Sequence, residues 1–378
     1  MKHPEHHIFD HTPETLKAWC TDRGWPAFRA KQILDWVYAK GVIDPHAMSN
    51  LKPAEREQLA AEMTFLSGDA LQHQLATDGT QKLLVQWREP DASAPDGLAL
   101  PVLGDDGTVT MGDAGVVPDP ARQTECVMIP TDARKTACIS SQVGCPVGCR
   151  FCASGLGGLD GNLSAGRIIE QVWSLGQLPD VGRISNVVFM GMGEPLANFA
   201  AVMHAVKTLA APWGLGIGAR RITISTVGLP QAIERLAAQL ELPVTLALSL
   251  HAPNDELRRE LIPWADYTTI EQLLNACDKW FEKTGREITL EYILIGGVND
   301  QAEHARELGR VAKRLRANVN LIRYNEVGGL PYARPKTGDV RRFQDILREA
   351  GINAHIRASR SRDIAAACGQ LRHEASHG

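Results

Sequence analysis

Beyond about residue 122 the chain alternates between short β-branched runs and longer amphipathic stretches. The runs are TACIS (136–140), NVVFMGM (186–192), ITIST (222–226), VTLALSLH (244–251), ITLEYILI (288–295) and NVNLIRYN (318–325). Between them, SAGRIIEQVWSLGQ, AAVMHAVKTLA, LPQAIERLAAQL and IEQLLNACDKWFEKTG carry apolar residues at helical spacing. Strand–helix alternation of this length predicts a parallel sheet with crossover helices. The six units fill a partial barrel and fall short of an eightfold one. The expected fold class is therefore α/β, with a partial (β/α)6 barrel over residues 122–350. Working residues in such folds gather at the C-terminal ends of strands. Gly193 and Glu194, Ser225, Ser249-Leu250-His251 and Asn325 occupy such ends.

Residues 1–65 read as short helices in a small accessory module. Thr12 or Thr15 can cap the first, which ends near Gly24; Pro26 opens FRAKQILDWVYAK, and a last helix follows Pro53. Residues 72–88 read as a strand pair, HQLA and KLLVQW around the turn TDGT. Residues 89–120 are rich in Pro, Gly, Asp and Ala and read as a surface excursion, so 66–121 is expected to link module and barrel. A C-terminal segment, 351–378, follows the barrel.

An apolar content of 44% over 378 residues excludes global disorder. No apolar run approaches a membrane span, and MKHPEHHIFDH lacks the apolar core of a secretory signal, so the expected address is cytoplasmic. Charge is uneven. Residues 66–120 hold two basic against nine acidic residues, and 301–378 hold fifteen basic against eight acidic. A basic C-terminal end suits a polyanion partner, although a solvated mixed-charge surface reads the same way.

Eight cysteines are too few for a disulfide scaffold in a chain this long. Three of them form CPVGCRFC: Cys145, Cys149 and Cys152. Structural zinc sites usually take four Cys or His ligands, often from two CxxC knuckles, and no second knuckle exists here. A distant histidine could complete a Cys3His site, so zinc stays open on spacing alone. Three cysteines can also hold three irons of a [4Fe–4S] cube and leave the fourth iron open. CxxxCxxC after the first barrel strand, with Phe151 before the last cysteine, resembles the radical SAM superfamily. The resemblance implies that S-adenosylmethionine (SAM) chelates the open iron. GMGEPL (191–196), ISTVG (224–228), SLHAPND (249–255) and RYNEV (323–327) supply the polar strand ends that would hold SAM.

A further cysteine, Cys368, lies in SRSRDIAAACGQL with Arg357, Arg360 and Arg362 before it. Taken with CISSQVGCPVGCRFC, this segment resembles the RlmN family of dual-specificity RNA adenine-C2 methyltransferases over nearly the whole chain. The resemblance implies that Cys368 becomes S-methylated, that Cys138 resolves the intermediate through a transient Cys138–Cys368 disulfide, and that Glu125 accepts the C2 proton. It further implies two SAM molecules per turnover, 23S rRNA and tRNA as substrates, a reducing donor such as flavodoxin, and a monomer. A sister Cfr-type enzyme acting at C8 shares the cysteines, and a zinc-stapled RNA-binding protein is the alternative of another class. The chain departs from the family's usual pattern at Gly161 and Arg167, and 91–120 is longer than the family's connection. Cys20, Cys126 and Cys277 read as core residues, and His3, His6, His7 and His11 as an exposed tail.

Overall fold

The computed structural model describes residues 1–89, 101–103, 108–111, 119–357 and 362–371. The N-terminal helices form where their caps allow. Thr12 caps α1 (Pro13–Asp22) in a reciprocal box with Thr15, and Gly24 leaves it at a φ of +74°. Helix α2 (Arg29–Leu34) runs on as a π-turn over Asp35–Ala39, and α3 (Pro53–Glu62) starts on its proline. Ile8, Phe9, Leu16 and Trp19 from this module belong to one continuous core with the barrel.

The strand pair forms β1 (Gly68–Leu75) and β2 (Gln81–Trp87). Most of the expected excursion over 89–120 lies outside the described residues; two described pieces are strands, β3 (Pro101–Leu103) and β4 (Thr108–Met111). Next come β5 (Gln123–Thr131), β6 (Arg134–Cys138), β7 (Gln142–Gly144) and β8 (Leu159–Asn162). The barrel continues through α4 (Ala165–Gly176), β9 (Asn186–Phe189), α5 (Phe199–Ala210), β10 (Ile222–Thr226), α6 (Pro230–Gln239) and β11 (Thr245–Ser249). It closes with α7 (Asp255–Leu261), α8 (Ile270–Thr284), β12 (Ile288–Leu294), α9 (Ala302–Ala312), β13 (Ala317–Arg323), α10 (Thr337–Glu349) and β14 (Ala354–Arg357).

The main sheet runs β14-β13-β12-β11-β10-β9-β6-β5-β2-β1-β4-β3. From β6 to β14 neighbours are parallel, and the strands beyond β5 are antiparallel. All six expected barrel strands are present, with ends shifted by a few residues. NVVFMGM stops as a strand at Phe189 because Gly191, and Gly193 just beyond the run, serve a close approach. A Cβ on Gly191 would lie 2.7 Å from the Ile139 backbone, and one on Gly193, whose φ is +101°, 2.6 Å from Gln142 Cβ. A seventh parallel strand, β14, lies beyond the six. The β1–β2 pair joins the barrel sheet through β5.

A buried polar knot ties the N-terminal module to α4. Glu170 accepts from Ser67 N (2.9 Å), Ser67 Oγ (2.8 Å) and Gly68 N (2.8 Å), and His7 Nε2 lies 2.8 Å away. His7 is 1% exposed, so it is not part of an exposed tail. His7 is paired because Ile8 and Phe9 enter the core beside it. Arg167 is fully buried above Trp87 and donates to Ser67 Oγ, Lys2 O and Arg88 O. This departure from the family's pattern is a structural strut. Cys20, Cys126 and Cys277 are all fully buried. Glu170→Ala leaves several N–H groups and an imidazole without their acceptor and is expected to cost about 3–5 kcal/mol, read by urea unfolding.

Candidate active site

The cysteine triplet sits in a loop that only glycine can shape. Gly144 has a φ of +73°, and a Cβ there would fall 2.1 Å from Gly158 O. This closeness lets Cys145 N donate to Gly158 O at 2.7 Å. Cys152 N closes a turn on Cys149 O (3.1 Å), and Arg150 N anchors the loop to Leu261 O at the end of α7 (3.0 Å). All three cysteines line one cavity of about 150 Å³ with Glu194, Ser225, Ser249, His251 and Cys368.

Two features of these residues suit a bound cluster. First, burial pushes the three thiols up, Cys145 to about 12 and Cys149 and Cys152 also above their usual value. Buried thiolates need a nearby cation, which a bound cluster supplies. Second, Arg258 is fully buried beside Cys149 and donates to Val227 O (2.6 Å) and Leu250 O (3.3 Å), yet its Nη1 has no hydrogen-bond partner. A thiolate or sulfide acceptor would satisfy it. Among the described residues no three His, Cys, Asp or Glu side chains are grouped to hold a single metal ion.

The strand ends place the polar wall. Glu194 is 3% exposed; its oxygens accept from Leu196 N (2.9 Å) and Val227 N (2.8 Å). Burial raises it to about 6, and those N–H bonds oppose the rise. Ser225 and Ser249, on adjacent parallel strands, have hydroxyls 3.2 Å apart. His251 takes a φ of +58° and stands edge-on to Phe151 at 5.2 Å. Burial lowers its pKa to about 3, so the ring is neutral. Its Nδ1 accepts from Ile293 N (3.1 Å), which assigns the proton to Nε2. Leu250 and Asn325 do not line this cavity. Leu250 packs in the main core, and Asn325 accepts from Arg334 Nη1 at 2.8 Å.

The chain returns to this cavity at its C-terminal turn. Ala153 N donates to Gly369 O (2.8 Å), and Ser154 Oγ donates to Leu371 O (2.6 Å). Cys138, at the end of β6, packs with Val127, Met192, Ala366 and Leu371. Both Cys138 and Cys368 are free thiols. Burial pushes both up and Arg357 draws both down. Glu125 is 3% exposed and pairs with Lys82 at 2.7 Å. Arg360 and the side chain of Arg362 lie outside the described residues.

Sequence reasoning missed Lys82, Arg258 and Glu291. Glu291 lines the cavity, accepts from Asn320 Nδ2 (3.0 Å) and lies 4.0 Å from Arg357. A single carboxylate inside ITLEYILI was the available signal, since an unpaired charge does not belong in a buried strand.

Two family models match the sequence: the radical SAM superfamily over residues 139–309, and the ribosomal RNA large subunit methyltransferase N-terminal domain over residues 6–65. Barrel, cysteine loop and polar strand ends are those of a radical SAM protein, a class that implies a [4Fe–4S] cluster and SAM. The chain is 42% identical over 369 residues to a probable dual-specificity RNA methyltransferase RlmN of Rhodopirellula baltica, covering 97% of this chain and 91% of that protein. It is 44% identical over 358 residues to its counterpart in Symbiobacterium thermophilum, covering 94% and 88%. The crystal structure of a radical SAM methyltransferase from Sphaerobacter thermophilus matches with a TM-score of 0.86 at 39% identity, over 97% of this chain and 99% of that one. The chain belongs to the RlmN family of dual-specificity RNA methyltransferases. Cys152→Ala in anaerobically reconstituted protein is expected to drop bound iron from about four per chain to near zero, measured by iron and sulfide assay.

Proposed function

We propose that the protein methylates C2 of adenosine in RNA through an S-methyl group carried on Cys368. The observation that carries this reading is the return of Cys368 to the wall of the cavity lined by the three cluster cysteines, with Cys138 packed against the same turn. C2 of adenine lies between two ring nitrogens and is too electron-poor to attack a methyl cation equivalent. A radical route avoids that barrier.

When bound, the cluster on Cys145, Cys149 and Cys152 and two SAM molecules supply the methyl group and the radical that activates it. Glu194 receives the SAM ammonium as a carboxylate. Ser225, Ser249 and the Nε2–H of His251 offer hydrogen bonds to carboxylate or ribose. Cys368 takes the methyl as a thiolate: its S–C bond forms as the SAM sulfur leaves. Arg357 favours that thiolate. Once the carbon is bonded to C2, the adduct gives up its odd electron, which the bound cluster would take back, and Glu125 takes the C2 proton. The Cys138 thiolate then attacks the sulfur of Cys368; an S–S bond forms and the S–C bond breaks, its electron pair passing to the methylene carbon, which takes up a proton to become the methyl group. The disulfide is transient, and an outside reductant reopens it.

The finer assignments follow the family. We read 23S rRNA and tRNA as substrates, the N-terminal helices as an RNA-contacting module, flavodoxin or a similar protein as electron donor, and the working state as a cytoplasmic monomer. The adenosine must be unstacked to reach a buried cavity.

Anaerobic turnover with an rRNA fragment is expected to give 2-methyladenosine by nucleoside mass spectrometry. 8-Methyladenosine would instead assign the Cfr-type reaction. Cys138→Ala is expected to leave RNA covalently bound to Cys368; free methylated RNA at the normal rate would overturn the resolving role. SAM affinity is expected to fall below about pH 6, where Glu194 takes up a proton and no longer pairs with an ammonium. Isothermal titration across that range reads the loss, and Glu194→Gln should flatten it.

A further inference from the structure

We propose that Lys82 is a positioning residue for the deprotonation step: its ammonium keeps Glu125 ionised and registers it against the turn that carries Cys368. This rests on the reading of Glu125 as the proton acceptor. Lys82 pairs across the sheet with Val127, and Glu125 with Leu84, so Lys82 and Glu125 are diagonal neighbours on one face. That face is the one on which Val127 and Cys138 meet Ala366.

Lys82 Nζ lies 2.7 Å from Glu125 Oε1, with the side chains 8% and 4% exposed. The same ammonium donates to Ala365 O at 3.5 Å, three residues before Cys368. The β1–β2 hairpin grips this turn at a second point. Thr77 N and Oγ1 donate to Asp363 Oδ2 at 2.9 and 3.1 Å. The hairpin therefore holds the methyl-carrier turn twice, and one of the two holds is the partner of the base. A buried ion pair is a poor way to add stability, because an apolar pair of similar volume does as well. It is a good way to fix where a carboxylate sits and which form it takes.

A carboxylate accepts a proton only while ionised. Burial disfavours that form, and an ammonium at contact distance restores it. The same field weakens the base, which this step tolerates because losing the C2 proton, together with the odd electron that the bound cluster would take back, restores the aromatic ring. The proton moves from C2 to Glu125. Charged and titratable groups on the elements packed against the pair, among the described residues, include Cys126 on β5, Cys138 on β6, Arg357 on β14, and Asp363 and Cys368 on the turn. Burial pushes the thiols up, so they stay neutral in the resting enzyme. Asp363 is held down by its bonds from Thr77 and stays charged.

The test is a single turnover of reconstituted holoenzyme, pre-methylated on Cys368, with an RNA fragment. Decay of the covalent protein–RNA adduct is followed on denaturing gels across about pH 6 to 9. Lys82→Met is expected to slow decay at least about tenfold at neutral pH, with the deficit shrinking as pH rises and Glu125 ionises without help. Lys82→Arg keeps the charge and should restore most of the rate. Should Lys82→Met fail to fold, Lys82→Gln carries the same expectation. Decay at the wild-type rate at every pH overturns the proposal. So does a slowing that is constant across pH and is not rescued by arginine, since that marks a purely structural role. Glu125→Gln separates the two readings. If it accumulates adduct at every pH, the base assignment stands whatever Lys82 does. If it clears adduct normally, the base assignment falls and the role of Lys82 falls with it.

Discussion

Two hydrogen bonds, Ala153 N to Gly369 O and Ser154 Oγ to Leu371 O, join the cysteine loop to a turn more than two hundred residues further along the chain. Much of the architecture serves to make those contacts possible. The barrel sheet presents β6 and the loop after it; α7 pins that loop through Leu261 O; and the β1–β2 hairpin reaches over to hold the turn from the other side. Remove the hairpin and the turn keeps its bond to the loop but loses its bearing on Glu125. Remove the loop contacts and Cys368 leaves the cavity it shares with the other three cysteines.

The barrel was legible because its strands are compact β-branched runs and its helices carry a regular apolar stripe. Strand ends were less so. NVVFMGM reads as one run, yet Gly191 within it and Gly193 just after it end the strand and let Ile139 and Gln142 approach. The strand β14 escaped because AHIR is short and mixed, and its place depends on pairing with β13. The attachment of the hairpin to β5 is a long-range fact that no local pattern carries. His7 was misread for the same reason: four histidines in a polar stretch have no periodicity, and only Glu170, on a distant helix, explains the burial of one of them.

The motif cysteines and Glu194 were legible from spacing, whereas their electrostatic surroundings were not. Arg258 occupies a short helix full of charges and reads as a surface residue, yet it is fully buried beside Cys149. Glu291, Arg357 and Lys82 likewise acquire meaning only from what the sheet brings beside them. His251 shows the opposite bias. Histidine near a reactive centre invites an acid–base role, but its buried ring stays neutral and acts as a fixed donor.

The short strand β14 has a kinetic meaning. It ends at Arg357, eleven positions before Cys368, so the sheet fixes one point of the chain close to that residue. On the proposal that Cys138 resolves Cys368, that point and the contacts to Ala153 and Ser154 hold the second sulfur at a high effective concentration for the first. Exchange between the two sulfurs thereby becomes an intramolecular event, insensitive to dilution of the enzyme. A small-molecule thiol must instead reach a buried sulfur, Cys138 being 6% exposed, before it can compete. The strand thus works as an anchor that favours exchange within the chain over exchange with a dissolved thiol.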